Sequence, residues 1–156
     1  MRLSKPTVAA EKSLKPIPKK AVSAPSTLNE AYDYPKPSSF SRALRLDIKG
    51  VTILLISGTA SVDENGNTVH AGDFRAQCWR TYRNITGLLE AEGATWKDIV
   101  RTTCYLRDID RDYEAFNEIR TQFFHEQRLN PLPASTGAGG SSVGAHGPSI
   151  AAASYQ

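Results

Sequence analysis

The sequence contains few cysteines and no long apolar run. Two cysteines, Cys78 and Cys104, among 156 residues are too few for the disulfide framework of a small secreted domain. The longest apolar run, VTILLI at 51–56, is far shorter than the roughly 20 residues that span a bilayer. The first residues also lack the apolar stretch of a signal peptide. We therefore expect a cytoplasmic protein with free thiols that does not enter a membrane.

Recognisable metal-binding and catalytic motifs are missing as well. The three histidines, His70, His125 and His146, are not spaced for a zinc site, and we expect no metal. The run SGTAS at 57–61 is not the G-x-S-x-G turn of a serine hydrolase. The run TGAGGSS at 136–142 matches neither phosphate-binding glycine motif. Both cysteines fall on apolar faces of predicted elements, where a thiol is inert.

The excess of basic residues belongs to the N-terminal segment. Residues 1–36 hold seven of the 19 Lys and Arg but only three of the 16 Asp and Glu, so residues 37–156 are close to neutral. A near-neutral domain does not favour a nucleic-acid partner. Residues 1–36 also hold five of the nine prolines and show no apolar periodicity. We therefore predict an extended or disordered arm at 1–36 and one domain at 37–156.

The apolar pattern of the domain predicts strands and two helices. Asp73 is the predicted N-cap of a helix to about Glu92, and Asp110 or Asp112 caps a second helix that ends before Pro131. The predicted strands lie at 40–48, 51–58, 68–70, 100–109, 134–136 and 149–155. This order predicts an α+β two-layer sandwich in which two helices cover one face of a mixed sheet.

Two of the predicted strands carry specific burial predictions. The run Ile53–Ile56 is apolar throughout, which predicts burial on both faces. In the strand from residue 100, Val100, Cys104 and Leu106 share one face with Thr102. The opposite face carries Arg101, Thr103, Tyr105 and Arg107.

A glycine-rich segment separates the last two strands. Gly137, Gly139, Gly140, Gly144 and Gly147 fall within eleven residues. A strand follows them, whereas a phosphate-binding loop leads into a helix. Two interpretations stay open: a flexible connection between strands, or a loop whose backbone N–H groups hold an anion.

The ordered series of short motifs in residues 37–156 resembles one family. FSRALRL, LLISGTASV, GD-x-x-AQ, NITGLLEAEGATWKDIVRTTCYLRDI, YEAFNEIRTQFF and P-x-PAST resemble the Rid family, the YjgF-type reactive intermediate deaminases also called endoribonuclease L-PSP. The resemblance implies a fold like chorismate mutase of the bacillus type. It also implies a homotrimer with ligand clefts between neighbouring subunits. The family activity is hydrolysis of small imines and enamines to a keto acid and ammonia, without a metal or organic cofactor.

The resemblance also implies a set of ligand-binding residues. The matching positions are an aromatic residue at the cleft opening, three residues after the central strand, an asparagine on the second helix and three residues of the next strand. These positions carry Phe40, Ser57, Gly58, Thr59, Asn117, Ala134, Ser135 and Thr136.

Two charged groups of the family site are absent from this sequence. Ala134 stands where the family arginine binds the substrate carboxylate, and Ser149 stands where a glutamate orients the attacking water. An Arg–carboxylate pair orients a ligand, and general acid–base help is worth roughly 10²–10⁴-fold in rate. Arg101 or Arg107 could supply the positive charge instead, and we include Arg107 among the ligand-binding candidates. Catalytic residues stay unassigned.

A narrower resemblance suggests a ligand class. LLISGTASV, TVHAGDFRAQ, YLRD and PASTGAGG resemble the Rid-like C-terminal half of chorismatases, which implies an aromatic or cyclic carboxylate. One hypothesis is a protein that binds or hydrolyses a small imine, enamine or cyclic carboxylate metabolite. The second is a non-catalytic ligand-binding or scaffold trimer, which the two losses favour. The third, a ribonuclease, has only the family label behind it. The sequence leaves open whether the chain is an enzyme.

Overall fold

The computed structural model describes residues 15–140 and 149–155, which form a six-stranded mixed sheet with two helices. In chain order the elements are β1 (Lys19–Ala21), β2 (Ala43–Ile48), β3 (Val51–Thr59), α1 (Phe74–Glu90), β4 (Ile99–Leu106), α2 (Ile109–Glu126), β5 (Ala134–Gly139) and β6 (Ser149–Tyr155). The strand order is β1-β2-β3-β6-β4-β5, with β4 and β5 parallel and the other neighbours antiparallel. The predicted α+β two-layer sandwich is confirmed.

Both helices begin at an aspartate cap. The Asp73 side chain accepts a hydrogen bond from the backbone N–H of Ala76 at 3.0 Å, as predicted for α1. The cap of α2 is Asp108, whose Oδ1 accepts from the Arg111 N–H at 3.1 Å, so the prediction of Asp110 or Asp112 was wrong. Because β4 ends only two residues earlier, the first aspartate after it is the cap. The other two lie in the first turn, where negative charge favours a helix.

The core lies between the sheet and the helices. The stripe of α1 buries Cys78, Tyr82, Ile85 and Leu89 against β3 and β4. In α2 the buried residues are Phe116, Ile119, Phe123 and Phe124 with Asp112. The rings of Tyr82 and Phe123 stack at 4.3 Å between centroids, which joins the two helices. These residues bury the side of the sheet that faces the helices.

The N-terminal segment departs from the predicted arm from residue 19 onward. Residues 19–21 form β1, which pairs with β2, and Val22, Leu28 and Ala31 are buried in the core. The segment also packs so closely on α1 that a Cβ at Gly87 would lie 2.7 Å from the Thr27 Cβ. Its apolar residues are buried singly rather than as a periodic stripe. This is why periodicity gave no sign of the order of residues 15–36.

Four strand predictions need correction. The predicted strand 68–70 is an isolated bridge between Val62 and Thr68. The strand predicted from residue 40 begins at 43, and β5 continues to 139. Val100 is exposed because the β4–β6 pairing shifts register between residues 99 and 101, so Ile99 takes the buried position.

The face of the sheet away from the helices carries apolar side chains on β2 and β3. Leu44, Leu46 and Ile48 pair across the strands with Leu55, Ile53 and Val51, respectively. Leu55 is 45% exposed, so the prediction that Ile53–Ile56 is buried on both faces does not hold within one chain. We call this surface the open face.

Two further points concern the described part of the chain. Within it, no helix is long and apolar enough to cross a membrane. The glycine-rich segment was predicted to continue through 141–148, and those residues lie outside the described ranges. Its first glycines, Gly137 and Gly139, belong to β5. The Gly139 backbone approaches α2 so closely that a Cβ there would lie 2.6 Å from the Ile109 Cβ.

Candidate functional site

A pocket of about 590 Å³ lies between the outer side of α2, the α2–β5 connection and β5. Apolar side chains form one part of its wall and polar groups the other. The lining residues are Tyr113, Asn117, Arg120, Thr121, Phe124, His125, Leu129, Leu132, Pro133, Ser135 and Gly137. This volume falls within the roughly 300–1,000 Å³ typical of small-molecule sites.

The polar part of the pocket is a cluster centred on Arg120. Its Nη1 donates to Ser135 Oγ at 3.1 Å, and its Nη2 donates to Asn117 Oδ1 at 2.5 Å. Asn117 and Arg120 lie three residues apart on α2, so both side chains point to the same side of the helix. Ser135 reaches the cluster from β5. The structure thus brings together two predicted site residues and an arginine that was not predicted.

Ser135 also connects this cluster to the buried side of β4. Its Oγ accepts from Thr102 Oγ1 at 3.0 Å and lies 3.9 Å from Cys104 Sγ. Burial raises the pKa of the Cys104 thiol, although its contacts with Ser135 and Thr102 act in the opposite direction. Burial also raises the pKa of Cys78 to about 12. Both free cysteines are buried, as the sequence predicted, and the raised pKa of each disfavours the thiolate that acts as a nucleophile.

Ala134 and Thr136 lie on the opposite side of β5 from Ser135, because successive strand residues alternate. There Thr136 Oγ1 accepts a hydrogen bond from Arg101 Nη2 at 3.3 Å. The three consecutive predicted residues of β5 are therefore divided between two sides of the sheet. Arg107 is exposed just after β4 and does not line the pocket beside α2.

The predicted residues near the start of β2 and the end of β3 form a second group. Arg42 is 5% exposed, and its guanidinium lies 5.0 Å from the Tyr34 ring centroid and 5.2 Å from that of Phe40. It also donates a hydrogen bond to the Tyr34 hydroxyl. Phe40 is thereby held against the N-terminal segment. Its ring is 40% exposed and remains available as an apolar wall.

The remaining members of the second group differ in accessibility. Ser57 Oγ donates to the Ser41 carbonyl at 2.7 Å, and Gly58 is exposed. Thr59 is fully buried, and its Oγ1 donates to the Ser57 carbonyl at 3.0 Å. Within one chain Thr59 therefore supports the end of β3 and does not line a surface cleft.

The two groups of predicted residues are not adjacent within one chain. The end of β3 is separated from β5 by β6 and β4. Three strand spacings of about 4.8 Å amount to roughly 14 Å. A ligand that touches Ser57 and Ser135 of the same chain would have to bridge that distance across the sheet.

Two observations concern metal binding and the identification of Arg120. No cluster of three or more His, Cys, Asp or Glu that could hold a metal occurs among the described residues. Arg120 was not among the predicted residues, because its contact with Ser135 joins α2 to β5, 15 residues away in the sequence. The i,i+3 spacing from Asn117 was a signal in the sequence that could have identified it.

Comparisons with known proteins agree on one family. The family model described as endoribonuclease L-PSP matches residues 36–145. A RutC family protein from Pyrococcus abyssi is 30% identical over 95 residues, which are 60% of this chain and 71% of that protein. The 3-aminoacrylate deaminase RutC of Acinetobacter baylyi is 35% identical over 80 residues, 51% of this chain and 63% of that protein.

A solved structure supports the same assignment at the level of the fold. The YjgF gene product of E. coli matches with a TM-score of 0.67 at 23% identity, over 86% of this chain and 97% of that chain. At this identity the match shows a shared fold. Together with the family model over 36–145, these findings establish that the chain belongs to the endoribonuclease L-PSP family, the Rid group of YjgF- and RutC-like proteins.

Proposed function

We propose that the chain hydrolyses small imines or enamines that carry a carboxylate, in clefts between the subunits of a homotrimer. The observation that carries this proposal is the cluster of Arg120, Asn117 and Ser135 at the pocket beside β5. A cation with two neighbouring hydrogen-bonding groups suits a carboxylate. The similarity to a 3-aminoacrylate deaminase supports the reaction class.

The reaction needs water and proton transfer. The oxygen of water adds to the imine carbon, its protons pass to the nitrogen, and the carbon–nitrogen bond breaks to release ammonia and a carbonyl compound. Ser149 cannot replace a glutamate as the proton-transferring group. Besides Arg120, the titratable side chains in the pocket lining are Tyr113 and His125. We assign proton transfer to one of these two.

A site between subunits is supported by two features of the single chain. Ser57 lies three strand spacings, roughly 14 Å, from β5, and Phe40 precedes β2, one strand further away, so a cleft that contains both groups requires a second copy. The open face presents exposed apolar side chains, including Leu55 and Val51, that another copy would cover. Charged or polar residues would be expected there if water covered this face permanently.

The proposal is tested by following imine decay. An amino-acid oxidase generates 2-imino acids in place, and their disappearance is measured with and without the protein. We expect an acceleration that rises in proportion to protein concentration and is lower in Asn117→Ala. Heat-unfolded protein serves as the control for non-specific amine catalysis. Decay at the uncatalysed rate for all imino acids tried would contradict the proposed activity.

A second candidate function is ligand binding without catalysis. The residues that favour it are Ala134 and Ser149, which replace the two charged groups of the family site. Under this alternative the protein binds keto acids but leaves imine decay unchanged. Isothermal titration calorimetry with 2-oxo acids, performed beside the decay assay, distinguishes the two functions.

A further inference from the structure

We infer that Arg120 of α2 holds the substrate carboxylate in place of the arginine lost at Ala134, and that the substrate is a 2-imino acid with a large apolar or aromatic side chain. This inference rests on the proposed function. It assigns the anchor to a residue on the helix side of β5, and it names a substrate class larger than a three-carbon acid.

The guanidinium of Arg120 is held in place before any ligand arrives. Its carbon Cζ lies 5.2 Å from the ring centroid of Phe116, which is itself buried. One N–H of each terminal nitrogen is directed to Asn117 or Ser135. An arginine has five N–H donors in a planar fork, so donors remain for a carboxylate. Such prior ordering lowers the entropy that ligand binding would otherwise cost.

Arg120 also differs from Arg45 and Arg111 in the charge of its side-chain partners. Arg45 forms ion pairs with Asp47 and Glu92, and Arg111 pairs with Asp112. No ion pair between Arg120 and an Asp or Glu occurs within residues 15–140, and both of its side-chain partners are neutral. Arg120 is partly buried, and a cation in that environment is stabilised by an anion. A ligand carboxylate would supply it.

The apolar part of the pocket indicates the kind of side chain that the substrate carries. Phe124, Leu129 and Leu132 line it, and Leu132 is 65% exposed on the α2–β5 connection. Contact with an apolar ligand would remove the surface of this exposed leucine from water, which is favourable. The volume of about 590 Å³ is also in the range of drug-sized ligands. The apolar group of the ligand would therefore lie against these side chains while its carboxylate meets Arg120.

The chief alternative anchor is Arg101, which makes a clear experimental comparison. Arg101 lies beside Ala134 and Thr136 on the other side of β5. Neutral variants of the two arginines therefore test opposite sides of one strand. Arg120→Lys is a further variant, because it keeps the charge but loses the fork. Thermal denaturation of each variant checks that it folds.

The experiment measures binding of phenylpyruvate and pyruvate to the full chain by isothermal titration calorimetry. We expect phenylpyruvate to bind more tightly than pyruvate, and benzyl methyl ketone, which lacks the carboxylate, to bind weakly. Arg120→Gln should weaken phenylpyruvate binding by roughly 10- to 100-fold. Arg120→Lys should be intermediate and Arg101→Gln unchanged. Leu132→Ser should weaken phenylpyruvate binding and leave pyruvate binding as it was.

The outcomes separate this inference from the proposed function. If wild-type protein accelerates imine decay but Arg120→Gln retains the same kcat/KM, the anchor lies elsewhere and only the inference is overturned. Loss of binding in Arg101→Gln but not in Arg120→Gln would place the anchor on the open face and overturn it as well. Equal binding of pyruvate and phenylpyruvate would overturn the substrate class. No binding and no acceleration by wild-type protein would overturn both proposals.

Discussion

The two faces of strand β3 differ although they carry the same kinds of side chain. Leu54 is 1% exposed beneath the helices, whereas its neighbour Leu55 is 45% exposed on the open face. Both leucines lie in one apolar run, so composition does not separate them. The difference lies in what packs on each face within one chain. It teaches that an apolar strand can complete its burial outside the chain, which is the basis of the proposed assembly.

Edge strand β5 shows the same division at the candidate site. Its helix side carries Ser135, which is fixed by hydrogen bonds to Arg120 and Thr102. Its other side carries Ala134 and Thr136, and the latter accepts one longer bond from Arg101. The helix side therefore carries a hydrogen-bonded cluster around Arg120 within one chain, which a neighbouring subunit would complete as the proposed cleft.

The largest effect is expected from a charge on the open face. Leu55→Glu should abolish the proposed assembly, because it would bury one carboxylate of each subunit in an apolar contact. Sedimentation or light scattering should then report the 17.0 kDa of one chain. Arg83→Gln, which changes the charge by the same amount on an exposed position of α1, should leave the mass of the assembly unchanged. A wild-type protein that already has the mass of one chain would contradict the prediction.

Leu54→Ala and Leu55→Ala should lower the free energy of unfolding by different amounts. Leu54→Ala should lower the free energy of unfolding by about 2–5 kcal/mol through the lost contacts and the cavity left in the core. That loss should not depend on protein concentration. The loss in Leu55→Ala should be smaller and should grow with protein concentration, since it acts through assembly. Urea denaturation at two protein concentrations measures both, and equal, concentration-independent losses would remove the distinction between the faces.

The contact of the N-terminal segment with α1 predicts a smaller loss. Gly87→Ala would gain up to about 1 kcal/mol of helix propensity, but its Cβ would overlap Thr27, at a cost of about 1–3 kcal/mol. We therefore expect a net destabilisation of about 1 kcal/mol by denaturant unfolding. The double variant Thr27→Gly, Gly87→Ala removes the overlap and should recover part of the loss. A stabilised Gly87→Ala would mean that the segment does not pack on α1.

The smallest effect is expected from the buried thiol of Cys78. The pKa of Cys78 rises from 9.0 to about 12 in the folded protein, so the folded state holds its proton more tightly than the unfolded state does. Stability should therefore be complete below pH 9 and fall between pH 9 and about 12, by about 1 kcal/mol at pH 10. Urea unfolding of wild type and Cys78→Ala at pH 8 and pH 10 tests this. The variant should show a shallower decline, and an identical decline would argue against the burial effect.

Local patterns in the sequence were sufficient for much of the fold. The i,i+4 stripe of α1 and the apolar strands were predictable because secondary structure depends on local periodicity. The order of residues 19–34 was not predictable in this way, because it depends on the pairing of β1 with β2 and on the burial of Val22, Leu28 and Ala31 by the rest of the domain. The exposure of Val100 depends on a register shift between β4 and β6, which no local pattern reports.

The candidate site was predictable only in part. Asn117 and Ser135 were identified from the family resemblance, and the structure places both at one pocket. Arg120 was missed because it approaches Ser135 from a different element, 15 residues away in sequence. Arg107 does not line the pocket formed by the described residues, so its predicted role stays a prediction. Substitutions at Ala134 and Ser149 were visible in the sequence, but what replaces them depends on side chains brought together by the fold.

By itself, the sequence determined the two helices, most of the strands, the N-cap of α1, the two buried thiols and the membership in a family. These features follow from short-range spacing and from ordered motifs. Only the tertiary structure decided that β6 lies between β3 and β4, that Leu54 and Leu55 have different surroundings, and that Arg120 meets Ser135. Those outcomes depend on the pairing of strands and helices far apart along the chain, where the relative positions of side chains are set by packing rather than by sequence distance.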